Sequence, residues 1–251
     1  MSFIKTINHL IIQNLKNAGI EELSSHFVYT APCNHSTFID LGANKGDFYQ
    51  AFQNKFNGKG YAIEASPALF AVLPACNQVQ FSNYAITDKN GFLDFYISEN
   101  SEANSLTSAI SEQWGLKQKV SVEGITLNEF INRLGIKEKI GLVKIDIEGA
   151  EIPLFSSISD DTLTSIEQIA VEFHDFLIKD DDYKTKMNAI LRKLKSLGFE
   201  IVQISLHDYR EVLCINKKVL SLSLASKIRI TTIHPFLKSI KKLHAKLHAL
   251  K

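Results

Sequence analysis

The sequence is poor in cysteine. Cys33, Cys76 and Cys214 are odd in number and widely spaced, which fits neither a disulfide framework nor paired zinc ligands and leads us to expect a reducing compartment. No stretch reaches the roughly 18 consecutive apolar residues of a membrane span. Asn8-His9 interrupts the first apolar run, where a signal peptide needs an unbroken core, so a cytoplasmic protein is expected. Repeats and low-complexity tracts are absent. So is the G-x-G-x-x-G fingerprint of nicotinamide-dependent dehydrogenases, because Gly42-Ala43-Asn44-Lys45-Gly46 spaces its glycines differently. Acids are absent after Glu211, while nine basic residues follow it. The body through Glu211 therefore carries about −8 and the tail +9, an asymmetry suited to docking on something anionic or on the body itself.

What is present is ordinary globular material, 45% apolar and 22% charged over 251 residues, enough for one large α/β domain that needs no metal or disulfide to hold it. The informative stretch is Thr37–Asp47. A β-branched and apolar run ends in Asp40, and Gly42 and Gly46 follow before a helix-like segment. A strand, an acid and a glycine-rich bend place backbone N–H groups and a helix N-terminus beside a ligand. Gly60–Glu64 supplies a second strand with a terminal acid about 20 residues on, the position from which a carboxylate takes two ribose hydroxyls in a doubly wound sheet.

Beyond these, apolar periodicity predicts an opening amphipathic helix over 3–15 and helices over 45–56, 67–75, 126–134, 150–158 and 183–197. Strands are predicted over 36–41, 60–64, 79–86, 91–97, 140–147 and 166–173, with 199–206 and 211–215 as a closing hairpin. Alternating strands and helices mean parallel pairing, with ligands at the carboxyl ends of the strands. The expected divisions are a helical N-terminal extension (1–30), the α/β domain (31–216) and a basic C-terminal extension (217–251). The polar stretch 98–118 breaks the rhythm and reads as an insertion that forms part of an acceptor pocket or a flap.

Val143–Glu151 packs Lys144, Asp146, Glu148 and Glu151 around one strand end, and alternation turns Lys144, Asp146 and Glu148 toward one face. The plain reading is an ion-paired strand end; the chemical one is a site where Lys144 favours ionised carboxylates. Val171–Asp175 delivers Glu172 or His174 to the same cleft. A histidine there is the natural proton acceptor from an attacking alcohol. A divalent cation on Asp146, Glu172 and His174 is a rival arrangement, but this is not a recognised ligand spacing, and no metal is expected.

Ile39-Asp40-Leu41-Gly42-Ala43-Asn44-Lys45-Gly46, Glu64-Ala65-Ser66-Pro67, Thr126-Leu127-Asn128-Glu129 and Lys144–Glu151 occur together in this order. In that combination the stretch from about Thr37 to Phe176 resembles the FkbM-type S-adenosylmethionine-dependent methyltransferases. The resemblance implies a doubly wound, seven-stranded Rossmann-like sheet with a C-terminal antiparallel hairpin. It also implies S-adenosylmethionine as methyl donor and O-methylation of a hydroxyl on a sugar, glycan, glycolipid or metabolite. Position by position it assigns Asp40, Gly42, Ala43, Asn44 and Gly46 to the methionine part of the cofactor, Glu64 to the ribose, the chain around Ala85 to the adenine, and Asp146 to the transferring methyl. Lys144, Asp146, Glu148 and His174 are the catalytic candidates. Asn128 departs from the family's usual Asp.

From Pro235, Phe236, Leu237, Ile240, Leu243, Leu247 and Leu250 line one face of an amphipathic helix and lysines occupy the others. Such a helix could fold back on the acidic body, pair with a second copy, or lie on the inner face of a membrane. A partner nucleic acid is not expected, because no aromatics interleave the basic residues. If the fold lacked turnover, the same helix would suit a non-catalytic scaffold.

Overall fold

The structure is a computed structural model that describes residues 3–100, 103–178, 180–206 and 208–249. Helix α1 (Phe3–Asn17) opens the chain, and a hairpin of β1 (Ile20–Leu23) and β2 (His26–Tyr29) follows. The first thirty residues are thus not purely helical. The hairpin turns on Ser24 and Ser25, both with left-handed backbone (φ 47° and 69°), the geometry that matches the twist of paired strands but that serine adopts at a cost.

The main sheet has seven strands. Its order is β5 (Val79–Ser82), β4 (Lys59–Ile63), β3 (Thr37–Leu41), β9 (Ile140–Ile145), β10 (Gln168–Val171), β12 (Val212–Asn216) and β11 (Phe199–Gln203). Only β12 runs against the rest. The chain starts in the middle at β3, winds outward to β5, and then returns through β9 to the other side. The carboxyl ends of β3 and β9 therefore form the switch point where such sheets hold ligands.

Helices cover both faces. Ile39, Leu41, Val143, Ile145 and Val171 pack toward α6 (Glu151–Ser157) and α8 (Asp181–Leu197). Phe38, Ala62, Leu142 and Ala170 face α1, α2 (Asp47–Phe56) and the β1–β2 hairpin. The near-continuous apolar strands follow from burial on both sides. Helix α8 ends where Gly198 takes the left-handed conformation (φ 106°) and returns its N–H to Leu194 and Lys195.

Three elements differ from expectation. The strand expected over 79–86 is divided, because β5 belongs to the main sheet and β6 (Ala85–Ile86) to a second one. The insertion is not mainly a loop. It contains α4 (Ser108–Gln113) and the start of the long strand β8 (Leu116–Ile125), which pairs with β6 and β7 (Gly91–Ser98). Half of β8 is exposed and its outer part is mostly polar, so no alternation marked it. The helix expected over 67–75 is the single turn α3 (Pro67–Phe70), while α5 (Leu127–Arg133) and α7 (Asp160–Ser165) complete the order before the tail. Asn128 is structural here: its amide donates to the Ser157 carbonyl (2.8 Å) and its oxygen accepts from Ser159 (3.3 Å).

The tail folds back. Helix α9 (Leu224–Ile228) leads into a π-helical turn (Arg229–Ile233) and α10 (His234–Ala249), and the turn and α10 pack along α1. Lys238 is buried and donates to the carbonyls of Gln203 (2.7 Å) and Ser205, and His234 lies 2.9 Å from the Gln203 carbonyl.

Candidate active site

Two hollows meet at the switch point. The first, of about 570 Å³, is lined by Gly42, Asn44, Glu64, Ala85, Asp146 and Glu148, with apolar walls from Ile63, Leu69, Ile86, Phe95 and Leu106. The second, of about 820 Å³, is more polar and is lined by Ser24, Ser25, His26, Lys45, Lys144 and Glu172. Gly42, Asn44, Asp146 and Glu148 line both.

The loop after β3 is built for close approach. A Cβ on Gly42 would lie 1.8 Å from the Asp146 carbonyl oxygen, and φ there is +79°, so only glycine fits between the tips of β3 and β9. Asn44 and Glu148 on either side are left-handed non-glycine residues (φ 49° and 50°), strain of a kind that gathers at ligand sites. Glu64 closes the floor: its carboxylate accepts the N–H groups of Asn44 and Ser66, each at 2.8 Å. Each oxygen retains acceptor capacity for a hydroxyl.

Of the residues assigned to the cofactor, Gly42, Asn44, Glu64, Ala85 and Asp146 converge on the first hollow. Asp40, Ala43 and Gly46 do not. Asp40 is sealed beneath the loop, 3.2 Å from Lys144. Ala43 lines the second hollow. Gly46 is a turn residue (φ +90°) backed by the Tyr49 hydroxyl.

The catalytic candidates are close together, with unequal exposure. Lys144 is buried and clamped. It donates to the carbonyls of Gly42 (2.7 Å) and Leu41 (3.3 Å) and pairs with Asp40 and with Asp146 (3.7 Å). Burial works against its charge, but the carboxylates of Asp40 and Asp146 outweigh it and raise its pKa. Burial likewise opposes ionisation of Asp146, yet Lys144 and then His26 hold that carboxyl below the usual range.

His174 is only 2% exposed. Its Nδ1 lies 2.9 Å from Glu151 and its Nε2 3.0 Å from Glu148, while Tyr183 donates to the other oxygen of Glu151 (2.9 Å). Burial disfavours the imidazolium, but Glu151 and Glu148 prevail and raise its pKa well above 6.5. With both nitrogens engaged, His174 has none free to take a proton, and it lines neither hollow.

Sequence reading missed His26, which sits on the hairpin between Asp146 (3.6 Å) and Glu211 (3.5 Å). Despite burial, the nearby carboxylates of Asp146 and Glu211 raise its pKa to about 9. No motif surrounds it, and only the packing of the hairpin on the sheet brings it there. Glu172, at the end of β10, is raised to about 8 by burial and then by the Asp146 charge. Two triads, His26–Asp146–Glu172 and Asp146–Glu148–His174, have ligand atoms close enough to share a cation. Each histidine is already held between carboxylates, and Lys144 supplies further positive charge.

The insertion reaches the first hollow, not the second: Asn104 and Leu106 line it beside Phe95 of β7, and Ser105 donates its hydroxyl to the Glu148 carbonyl (2.5 Å). Within 98–118, Asn104 and Leu106 thus lie on the Ala85 side of Asp146.

The methyltransferase FkbM domain model matches residues 40–201. No curated protein gives a significant sequence match. Among solved structures, human methyltransferase-like protein 13 in complex with SAH aligns at 10% identity and TM-score 0.45, covering 92% of each chain. Precorrin-6y C5,15-methyltransferase from Geobacter metallireducens aligns at 11% identity and TM-score 0.39, covering 84% of this chain and 86% of that one. Aeropyrum pernix fibrillarin with natively bound S-adenosyl-L-methionine aligns at 11% identity and TM-score 0.33, covering 80% and 72%.

Proposed function

The chain belongs to the FkbM methyltransferase family, and on that premise we propose that it methylates a hydroxyl oxygen of a sugar, glycan, glycolipid or hydroxylated metabolite seated in the second hollow. S-adenosylmethionine is the cofactor. The first hollow suits it: a glycine-floored loop, a carboxylate with spare acceptor capacity at Glu64, and apolar walls around Ala85 that fit an adenine. When bound, it supplies an electrophilic methyl on a sulfonium.

The observation that carries the reading is the shared wall at Asp146 and Glu148 between an adenine-suited hollow and a polar one. Methyl transfer needs alignment and removal of one proton more than covalent help. Asp146, kept ionised by Lys144 and His26, balances positive charge at that wall. Glu172 faces the second hollow with a pKa near the working range and takes the acceptor's proton. Lys144 and His174 act as positioning residues, Lys144 on Gly42 and Asp146, and His174 on Glu148. Ser24 and Ser25 offer hydroxyls to an acceptor.

Calorimetric titration of S-adenosylmethionine into the full chain tests the cofactor half. We expect binding weakened by at least about tenfold in Glu64→Ala, the loss of two charge-assisted hydrogen bonds. Absence of binding at millimolar cofactor would refute the reading. A gain of one methyl in the mass of an extracted glycan or metabolite tests the acceptor half. Binding without turnover on any hydroxylated acceptor would favour the scaffold reading instead.

A further inference from the structure

The first and last segments of the chain form one surface that the methyl-transfer site does not use. Residues 1–20 and 212–251 contain no aspartate or glutamate, yet they hold eleven lysines and arginines. Within them α1 and α10 lie together, since α10 packs along α1 and Phe3 stacks on His244 with ring centroids 4.5 Å apart.

Helix α10 is not a loose appendage. Lys238 and His234 hold it to the carbonyl end of β11, which fixes its rotation. With that face turned inward, Phe236, Leu243 and Leu247 are left 63%, 60% and 55% exposed. At 100° per residue these three fall within one narrow stripe. Lys242 and Lys246 flank the stripe on the side away from α1, and both are exposed. The neighbouring α1 adds Phe3 and Leu10, which share one side of that helix and are each more than 40% exposed. Soluble surfaces carry single exposed apolar residues routinely, whereas a stripe of large ones rimmed by lysines marks an interaction site.

We propose that this surface docks on an anionic lipid bilayer, with α10 lying in the interface and α1 beside it. Charge decides the occupant. A second copy meeting through the same patch would oppose two acid-free, basic surfaces, whereas anionic headgroups neutralise them while the apolar stripe enters the acyl boundary. Among the described residues no helix is long and apolar enough to cross a membrane, so the contact is peripheral.

The test is flotation or co-sedimentation of the full chain with vesicles of phosphatidylcholine alone and of phosphatidylcholine with a minority of phosphatidylglycerol. We expect binding to the anionic vesicles only, weakened in high salt. Lys242→Glu/Lys246→Glu should weaken it by at least about tenfold, since each basic residue near an anionic surface contributes several-fold. Leu243→Ser/Leu247→Ser should weaken it comparably, because the stripe supplies the buried area. These positions are exposed, and calorimetric binding of S-adenosylmethionine checks that each variant is folded. Equal binding to neutral vesicles, or none to either, would overturn the proposal. So would a dimer formed without lipid and lost in Leu243→Ser/Leu247→Ser, which would assign the stripe to a second copy.

Discussion

The ammonium of Lys144 lies 3.2 Å from the carboxylate of Asp40, and both side chains are buried. The two occupy paired positions on neighbouring parallel strands, so the sheet register itself brings them together. Removing one partner of such a pair leaves a buried charge uncompensated. Lys144→Met is therefore expected to destabilise the protein by about 3–5 kcal/mol. Urea unfolding measures this, and adding Asp40→Asn should restore part of the loss; additive losses in the double variant would contradict the pairing.

Gly42→Ala should cost more than its size suggests. The new methyl would lie 1.8 Å from the Asp146 carbonyl oxygen at φ +79°, so the tips of β3 and β9 must part. We expect at least about 2 kcal/mol of destabilisation and loss of measurable cofactor binding by calorimetry. Wild-type affinity would mean that the tips are not fixed at this spacing.

Glu172 should set the acid limb of the rate profile. A base with a pKa of about 8 is ionised above that pH, so kcat/KM should rise as pH increases toward 8 and then level off. The groups around it are Asp146, His26, His174 and Glu211. Glu172→Gln should lower kcat by roughly 100-fold and abolish that limb. An unchanged profile would assign the base elsewhere.

His26 links stability to pH in the opposite sense. Its pKa rises from 6.5 to about 9 on folding, so its contribution is complete below pH 6.5 and fades as pH climbs through 9. His26→Gln should remove stability on the order of 2–3 kcal/mol near neutrality and flatten the decline between those limits. Thermal melts across pH 6–10 check it, and a variant as steep as the parent would exclude His26 as the source.

With Lys144, His26 and His174 already neutralising the acidic cluster, turnover should persist after dialysis against a chelator. Loss of activity restored by magnesium would place a cation on one of the two triads.

Sequence alone determined the alternating strands and helices of the main sheet, the glycine-rich bend with an acid at the end of each of the first two strands, and the amphipathic tail helix, while the seven-stranded sheet was implied by the family resemblance. Those features are local: apolar periodicity, glycine spacing and an acid at a strand end are written in neighbouring residues. Tertiary structure alone decided the rest. It alone could show that His174 is locked between Glu148 and Glu151 and that Lys144 is a clamp. It brought His26 and Glu211 from distant segments to Asp146, and it buried Lys238 so that the apolar stripe of α10 turns outward. Burial and charge pairing between residues far apart in the chain set which groups are protonated and which face solvent, and no window along the sequence contains both partners.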